Sequence, residues 1–309
     1  MTTPIAFFVY NRPDTTQQVI SALQAQTVAL DHLIIFSDGA RQPADESRVN
    51  AVRELCRTID WTEVKLVKRQ QNFGAAGNVI EGLNEVLSTY DEVIIVEDDV
   101  LPAPHFVEAM SLLLTRYRED KSVFSAGGYP SILPDSLANY PYDVIMSSRF
   151  NAWGWATWAD RWQSIAPRLR PFQNPFPDIE AIPNDAGEDI KDLALAVEQN
   201  PSLYWDLPVT LLCLHQGWFH ALTAYYLVNN IGLSTGDHGS DDAHLLQFLK
   251  RNNQVSSGIP HKLPPSALNL DAQEAVHKYL REIHHLPGRR SLKGYYRKFV
   301  RKIERWGRS

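Results

Sequence analysis

The chain has 309 residues, of which 44% are apolar, and its net charge is −6. That composition excludes a disordered chain, and the length suffices for one large domain or two closely packed lobes. The two cysteines, Cys56 and Cys213, are too few for a disulfide framework or a cysteine-rich zinc site, which favours a reducing compartment. We therefore expect a globular, cytoplasmic protein.

The N-terminus and the longest apolar stretch both lack the pattern of a membrane segment. The first residues, MTTPIAFFVYNRPD, have no basic lead-in and only a short apolar run, which predicts a first strand and not a signal peptide. The stretch 207–228 contains His215, Gln216 and His220 and is interrupted by Gly217. It predicts a buried helix followed by a strand.

Strand and helix patterns alternate along the first 126 residues. The predicted strands are residues 5–9, 33–36, 64–67, 93–96 and 123–126, and a helical pattern covers residues 74–87. Such alternation is typical of an α/β protein, in which a mostly parallel, Rossmann-like sheet is flanked by helices. Ligands of these sheets bind at the carboxyl ends of the strands.

Polar or glycine-rich segments follow the first four predicted strands, so they are expected to line one crevice. These segments are residues 10–13, 37–41, 68–78 and 97–99. The turn that begins with the first of them, YNRPD (10–14), contains no glycine and does not match the dinucleotide-binding fingerprint, and the chain has no Walker-type phosphate loop.

Three consecutive acids, Glu97, Asp98 and Asp99, follow the apolar strand at 93–96. Like charges this close repel, so a metal ion or several hydrogen-bond donors would stabilise the arrangement. Hard oxygen ligands favour Mg²⁺ or Mn²⁺, which commonly bind one or two carboxylates together with nucleotide phosphates. The alternative is a solvated acidic turn before the helix predicted near 103–118.

Seven segments resemble, in their order, nucleotide-sugar-dependent glycosyltransferases of the GT-A fold. They are FFVYNRPDTTQQVISAL, IIFSDGAR, NFGAAGNVIEGLN, VIIVEDDVLPAPHFVEAM, RFNAWGWATWADRW, YWDLP and GLSTGDHGSD. The order is similar to that of bacterial family-2-like transferases and of the Golgi N-acetylglucosaminyltransferase that begins complex N-glycans. In that fold a D-x-D or E-D-D motif follows the fourth strand, and its last acid coordinates a divalent metal. The resemblance covers about residues 3–250.

The resemblance implies roles for individual residues at the strand ends. Asp99 would hold Mn²⁺ or Mg²⁺ against the donor diphosphate, and Asp38 is similar to the acid that contacts the base. The donor-binding candidates are Tyr10, Asn11, Arg12, Asp38, Asn72, Glu97 and Asp98. The alternative for several of them is turn chemistry, because Asn, Pro, Asp and Gly are favoured in turns.

Asp206, in the segment LYWDLP, is the candidate catalytic base, because it matches the W-D at which the similar Golgi enzyme places its base. Inverting transfer requires a carboxylate within hydrogen-bond reach of the acceptor hydroxyl. Trp205 offers an apolar wall that would raise the pKa of this carboxylate. The alternative role is to cap the helix that starts near Leu207.

The remaining candidates concern the acceptor and the diphosphate. Trp155, Trp158 and Trp162 have the spacing of the core face of a helix, which leaves Trp153 and Gly154 free to contact a sugar. The resemblance also implies that His238 reaches the diphosphate or the metal, with an ordinary turn histidine as the alternative.

We therefore expect an inverting, metal-dependent transferase that moves a hexosyl or N-acetylhexosaminyl group from a UDP-sugar to a saccharide or lipid-linked acceptor, with no nucleic-acid partner. A sugar-1-phosphate nucleotidyltransferase would share the sheet but normally has a glycine-rich basic loop after the first strand. A non-catalytic sugar-nucleotide-binding protein would keep the fold and lose the acids. We assign residues 1–126 to a nucleotide-sugar-binding half and 127–250 to an acceptor-binding half of the same domain. A linker and helix (251–288) and a tail (289–309) follow.

The tail, residues 289–309, is strongly basic. It holds nine Lys or Arg residues against one acid, a net charge of +8, whereas the other residues have a net charge of −14. On a helical wheel its aromatic and aliphatic residues gather on one side, which is typical of a helix in an anionic membrane interface. We expect peripheral contact with the inner face of the membrane. The alternative is a helix docked on the protein's own acidic surface.

Overall fold

The structure is a computed structural model, and most of the chain up to Gly232 is described. The described residues are 3–130, 137, 139–176, 178–183, 186–187, 189–199, 205–232, 256, 258–264, 274–276 and 278. The candidate ligand His238 and the basic tail at 289–309 lie outside the described residues.

A mixed sheet of eight strands forms the centre of the fold, and a separate pair of strands lies beside it. The strands are β1 (Ile5–Val9), β2 (His32–Ser37), β3 (Glu63–Lys68), β4 (Glu92–Glu97), β5 (Val100–Pro102), β6 (Val123–Gly127), β7 (Val144–Ser147), β8 (Trp155–Trp158), β9 (Phe219–Thr223) and β10 (Val228–Asn230). The order in the sheet is β3-β2-β1-β4-β8-β6-β9-β7, and β5 pairs with β10. The strand pairs among β1 to β4 are parallel, so these four strands end at one edge.

Seven α-helices connect the strands in the described part of the chain. They are α1 (Pro13–Gln24), α2 (Glu46–Arg57), α3 (Gly74–Leu87), α4 (Phe106–Tyr117), α5 (Ala159–Ile165), α6 (Ile190–Gln199) and α7 (Asp206–Gln216). Short 3₁₀ turns cover Pro43–Asp45, Ala166–Arg168 and Ile179–Ala181. None of the described helices is both long and apolar enough to cross a bilayer.

The helices cover both faces of the sheet and form two core layers. Ile5, Phe7 and Val9 of β1 pack in one layer with side chains of α1, α2 and α4, whereas Ala6 and Phe8 pack in the other with α3, α5 and α7. Successive side chains of a strand point to opposite faces, so a strand covered on both faces is apolar throughout. This explains the unbroken apolar runs of β1 and β4.

The structure confirms the five strands predicted in the first 126 residues, and α3 has the predicted bounds. The stretch 207–228 contains most of α7 and all of β9, as expected. Its helix is followed by Gly217, which has a left-handed φ of 66° and ends the helix without Cβ strain.

The interpretation of Trp155, Trp158 and Trp162 as one helix face is wrong. Trp155 and Trp158 lie in β8, and only Trp162 lies in the following helix, α5. All three side chains are buried, as the spacing indicated. Strand β8 runs antiparallel between β4 and β6 and is covered on both faces, so it shows no alternation that would distinguish it from a buried helix.

Candidate active site

The carboxyl ends of β1 and β4 are joined by contacts at one edge of the sheet. The backbone N–H of Tyr10 donates a hydrogen bond to Oδ2 of Asp98 at 3.1 Å. Arg12, two residues further on, places Nη1 2.5 Å from Oδ2 of Asp99 and 3.4 Å from Oδ1 of Asp98. The segment that follows β1 is therefore held against the acids that follow β4.

The acids at the end of β4 are crowded, and their pKa values reflect it. Burial raises the pKa of Glu97 well above its usual range, and the charges of Asp99, Asp98 and Asp206 raise it further. Burial also raises the pKa of Asp98 to about 6, although the Arg12 guanidinium opposes that rise. One guanidinium thus contacts two of three consecutive acids, and burial and mutual repulsion raise the pKa values of Glu97 and Asp98.

This donor set fits a divalent cation. Carboxylate oxygens are the hard ligands that Mg²⁺ and Mn²⁺ prefer, and such ions usually take one or two carboxylates with water and substrate phosphate. Among the described residues, no three His, Cys, Asp or Glu side chains converge as a complete metal site. An ion at Asp99 would therefore need further ligands from water or from a bound diphosphate.

Asp99 is fixed from its other side by the segment that follows β10. The N–H of Ile231 donates to the Asp99 carbonyl oxygen at 2.8 Å, and the N–H of Gly232 donates to Oδ1 of Asn230 at 3.0 Å. A Cβ at position 232 would lie 2.8 Å from Cβ of Asp99 and 2.9 Å from its Cγ. Sequence analysis gave Gly232 no role, because its contact with Asp99 spans more than a hundred residues.

Asp38 organises the loop between β3 and α3. Its Oδ1 accepts hydrogen bonds from the N–H groups of Gly39 (2.9 Å) and Phe73 (2.8 Å), and its Oδ2 accepts one from Nδ2 of Asn72 (3.0 Å). Asp38 is only 3% exposed, and burial raises its pKa while the hydrogen bond from Phe73 opposes that rise. Asp38 thus stabilises turns in the structure, which is the alternative role that its sequence position indicated. Its contact with the nucleotide base stays a prediction.

Tyr10 and Asn11 bind the segment before α2. The Tyr10 hydroxyl donates to Oδ2 of Asp45 at 2.9 Å and accepts from the N–H of Arg41 at 3.0 Å. Nδ2 of Asn11 lies 3.4 Å from Oδ1 of Asp45, and Nε of Arg48 donates to the Asn11 carbonyl at 2.8 Å. Asp45 and Arg48 therefore lie beside Tyr10 and Asn11 at the candidate site. Neither was identified from the sequence, because neither directly follows a strand.

Asp206 is the first residue of α7, and Trp205 occupies the N-cap position without a side-chain cap. The structure therefore places Asp206 one residue inside the helix and not at the cap. Burial raises its pKa, and the backbone N–H groups of Asp206 and Leu207 oppose that rise. The ring of Trp205, beside Asp206, stacks at 5.8 Å on Trp155 of β8, which pairs with β4, and the charge of Asp206 contributes to the raised pKa of Glu97.

The acceptor candidates Trp153 and Gly154 differ in their surroundings. Trp153 is partly exposed, and its ring lies 4.6 Å from that of Tyr129 in an edge-to-face contact. The ring of Tyr226 lies 5.1 Å from Tyr129, which makes an aromatic cluster that sequence analysis did not identify. Gly154 is buried, whereas we expected it to be free to contact a sugar; its acceptor contact stays a prediction.

The burial of Gly154 has a packing cause. Its φ is 61°, and a Cβ there would lie 2.5 Å from Cγ1 of Val228 and 3.1 Å from Cε2 of Phe106. Its carbonyl oxygen accepts a hydrogen bond from the N–H of Gly128 at 2.8 Å. Gly154 therefore shapes the turn that leads into β8 and supports Trp153 beside it.

Comparison with known proteins gives one family and several distant structural matches. The model of the family described as glycosyl transferase family 2 matches residues 5–176, more than half of the chain. A search among curated proteins finds no match.

Three of the matching solved structures have low identity. S. aureus TarS 1-349 is 9% identical with a TM-score of 0.42, and the match covers 75% of this chain and 61% of that one. The mannosyltransferase PcManGT from Pyrobaculum calidifontis, in complex with GDP-Man and Mn²⁺, is 14% identical with a TM-score of 0.38, covering 91% and 85%. A UDP-glucose pyrophosphorylase complexed with UDP-glucose is 8% identical with a TM-score of 0.40, covering 76% and 96%. The chain thus spans less than two thirds of TarS 1-349.

Proposed function

The chain belongs to glycosyl transferase family 2, and we propose that it transfers a sugar from a UDP-sugar to a hydroxyl group with inversion at the anomeric carbon. The observation that carries this proposal is that two acidic elements, the acids at the end of β4 and Asp206 at the start of α7, belong to neighbouring parts of the fold. Trp205, which precedes Asp206, stacks at 5.8 Å on Trp155 of β8, the strand that pairs with β4, and the charge of Asp206 contributes to the raised pKa of Glu97. The acids at the end of β4 suit the binding of the donor, and Asp206 suits the role of the catalytic base.

The donor would bind along the ends of β1, β2 and β4. Asp38 and Asn72 would shape the part of the site that holds the nucleotide base of the donor. Glu97 and Asp98 would lie towards the ribose and the sugar of the donor. Asp99 would hold Mn²⁺ or Mg²⁺, with His238 as a further ligand. When bound, such an ion neutralises charge on the leaving diphosphate. The similarity to the Golgi enzyme favours a hexosyl or N-acetylhexosaminyl group.

Asp206 would accept the proton of the acceptor hydroxyl. Burial makes this carboxylate a stronger base than one in water, since it raises the pKa, although the backbone N–H groups of Asp206 and Leu207 and the charge of Arg149 oppose that rise. A single displacement from the side opposite the diphosphate inverts the anomeric carbon. The raised pKa supports the role because a general base works best when its pKa approaches the working pH.

The acceptor would be a saccharide or a lipid-linked saccharide. Trp153 presents a partly exposed ring, and aromatic rings provide a large apolar surface for the apolar face of a sugar. Its contact with Tyr129 fixes the orientation of the ring. We propose further that the basic tail at 289–309 holds the protein at an anionic membrane surface, at its cytoplasmic face, where a lipid-linked acceptor would be found.

The direct test is a donor panel. The full chain is incubated with Mn²⁺ and with UDP- or GDP-linked hexoses and N-acetylhexosamines, and release of the nucleoside diphosphate is measured with and without saccharide acceptors. We expect release from at least one UDP-sugar, increased by an acceptor and lost in Asp99→Asn. Release from GDP-sugars alone would contradict the UDP assignment. Release of pyrophosphate, with sugar 1-phosphate and nucleoside triphosphate as substrates, would indicate the nucleotidyltransferase reaction.

A further inference from the structure

The side chain of Arg12 occupies the place where a cation would neutralise Asp99. Its Nη1 lies 2.5 Å from Oδ2 of Asp99 and 3.4 Å from Oδ1 of Asp98. The side chain is 21% exposed, and those of Asp98 and Asp99 are 10% and 15% exposed. The pair is thus largely buried, and a small part of each side chain remains exposed.

The backbone of Arg12 is anchored at the start of α1, and its guanidinium is held only by the carboxylates of Asp98 and Asp99 among the contacts of the described residues. The Arg12 carbonyl oxygen accepts hydrogen bonds from the N–H of Thr16 at 3.0 Å and from its hydroxyl at 2.6 Å, both in the first turn of α1. The carboxylate on the other side is held in place, because Gly232 and Ile231 pack against Asp99. A rearrangement at this pair therefore moves the guanidinium and not Asp99.

We propose that Arg12 is an exchangeable counter-cation of Asp99, which yields the carboxylate to a divalent ion and then binds the diphosphate of the donor. The inference rests on the proposed function, in which Asp99 holds the ion. It assigns Arg12 a role that links metal binding to nucleotide binding.

The exchange follows because a divalent ion and the Arg12 guanidinium compete for Oδ2 of Asp99. A divalent ion bound to Oδ2 of Asp99 would lie close to the guanidinium that now contacts the same oxygen, and the two positive charges repel. Metal binding to the free protein must therefore displace Arg12, which weakens the apparent affinity for the ion. Asp98 keeps the displaced guanidinium at the site, since Nη1 already lies within reach of its Oδ1.

A bound nucleoside diphosphate offsets the repulsion between the divalent ion and the Arg12 guanidinium. It brings several negative oxygens, and a guanidinium binds phosphate through two parallel hydrogen bonds. Both cations then have anionic partners, so diphosphate strengthens metal binding and the ion strengthens diphosphate binding by the same factor. Arg12 thus adds to the coupling that direct contact between the ion and the diphosphate provides.

The experiment measures Mn²⁺ binding to the full chain without turnover, by the electron paramagnetic resonance signal of free Mn²⁺, with and without UDP, after subtraction of the Mn²⁺ that the same UDP concentration binds without protein. For the wild type we expect weak binding of Mn²⁺ alone and an increase of about tenfold or more with UDP, as for ordinary coupled sites. For Arg12→Gln we expect Mn²⁺ alone to bind about fivefold tighter or more, and the increase in affinity with UDP to be smaller than in the wild type by about threefold or more.

Arg57→Gln is the matched control. It removes an equal charge from an exposed ion pair with Glu54 on α2, so both Mn²⁺ affinities should equal those of the wild type. Circular dichroism and the melting temperature of each variant check the fold. If Arg12→Gln does not fold, Arg12→Lys replaces it, because a lysine keeps the charge but loses the two-bonded contact with diphosphate, and the increase with UDP should still fall.

Two outcomes would overturn the inference while leaving the proposed function intact. The first is an Arg12→Gln protein that binds Mn²⁺ alone no tighter than the wild type, and the second is an undiminished increase with UDP. A different result would contradict the metal role in the proposed function itself: Asp99→Asn binding Mn²⁺ with UDP as well as the wild type does.

Discussion

Gly232 packs directly against the carboxyl group of Asp99, and this contact leaves no room for a side chain at position 232. A Cβ there would lie 2.8 Å from Cβ of Asp99, closer than real Cβ atoms approach other atoms. The backbone at Gly232 is outside the left-handed region, so an alanine would conflict with Asp99 and not with the backbone conformation. The position of the candidate metal ligand thus depends on a glycine far away in sequence.

Gly232→Ala should fold and yet lose function at Asp99. The added methyl group displaces the Asp99 carboxylate, and a displacement of about 1 Å in an active site can reduce a rate by about 10²-fold. We expect Mn²⁺ affinity with UDP to fall by about tenfold or more. Gly258→Ala is the control, because a Cβ at Gly258 would meet no atom of the described residues within 4 Å and should change neither quantity. Unchanged Mn²⁺ affinity in Gly232→Ala would show that Asp99 does not bind the ion.

Asp99→Asn should abolish metal-dependent transfer. The amide keeps the size of the carboxylate but has no charge for Mn²⁺, so we expect activity to fall to the level of the wild type in EDTA. Adding excess Mn²⁺ should restore the EDTA-treated wild type and not the variant. The activities of the variant and of the EDTA-treated wild type are measured as initial rates of UDP release. A wild type that keeps full activity in EDTA would contradict metal dependence.

Asp206→Asn tests the base. Asparagine keeps the size of the side chain but cannot take up the acceptor proton, so we expect turnover to fall by roughly 10² to 10⁴-fold. UDP affinity should stay at the wild-type value, because the change affects the proton acceptor only. Asp60→Asn, at an exposed carboxylate before β3, is the control. NMR of the product should show the anomeric configuration inverted; retention would exclude single displacement.

The buried pair of Ser125 and His220 predicts a loss of stability at acidic pH. Nδ1 of His220 lies 2.8 Å from the Ser125 hydroxyl, and burial lowers the pKa of His220 to about 3. An unfolded histidine has a pKa of about 6.5, so between these values the unfolded chain binds more protons. The contribution of His220 to stability is therefore present above pH 6.5 and is lost as the pH falls towards 3.

The size of this effect is measurable by urea unfolding between pH 4 and pH 8. The control is the double variant Ser125→Ala and His220→Leu, which removes both polar partners and leaves neither unpaired. Below pH 6 the free energy of unfolding of the wild type should fall relative to the double variant by up to about 1.4 kcal/mol per pH unit. Parallel pH curves for the two proteins would show that His220 does not titrate with unfolding.

The basic tail should bind anionic membranes. Each basic residue near such a surface contributes about 1 kcal/mol, and salt screens the attraction. The full chain should co-sediment with phosphatidylglycerol or phosphatidylserine vesicles at low salt and be released at high salt. A chain ending at Pro287 should remain in the supernatant, and equal sedimentation of both chains would assign the tail to packing on the protein itself.

The first half of the fold could be predicted because its signals are local. The apolar runs of β1, β2 and β4 and the polar segments after them are each contained within about ten residues. In a parallel sheet, the position of a strand end is enough to place its polar residues at the ligand edge. The triplet Glu97, Asp98 and Asp99 was therefore found as a candidate site from its position alone.

The contacts that fix those acids could not be predicted. Arg12 and Asp99 are 87 residues apart, and Gly232 contacts Asp99 only because β10 pairs with β5. Trp155 and Trp158 were assigned to a helix because a strand covered on both faces carries no periodic signal.

The sequence by itself thus determined the α/β class, the strands β1 to β4 and the acidic edge where they end, since these depend on short-range apolar patterning. Only the tertiary structure decided which cation faces Asp99, how deeply Asp38 is buried and which of Trp153 and Gly154 stays exposed. Those properties depend on pairs of residues far apart in the chain, and no local pattern records which distant segments will pack together.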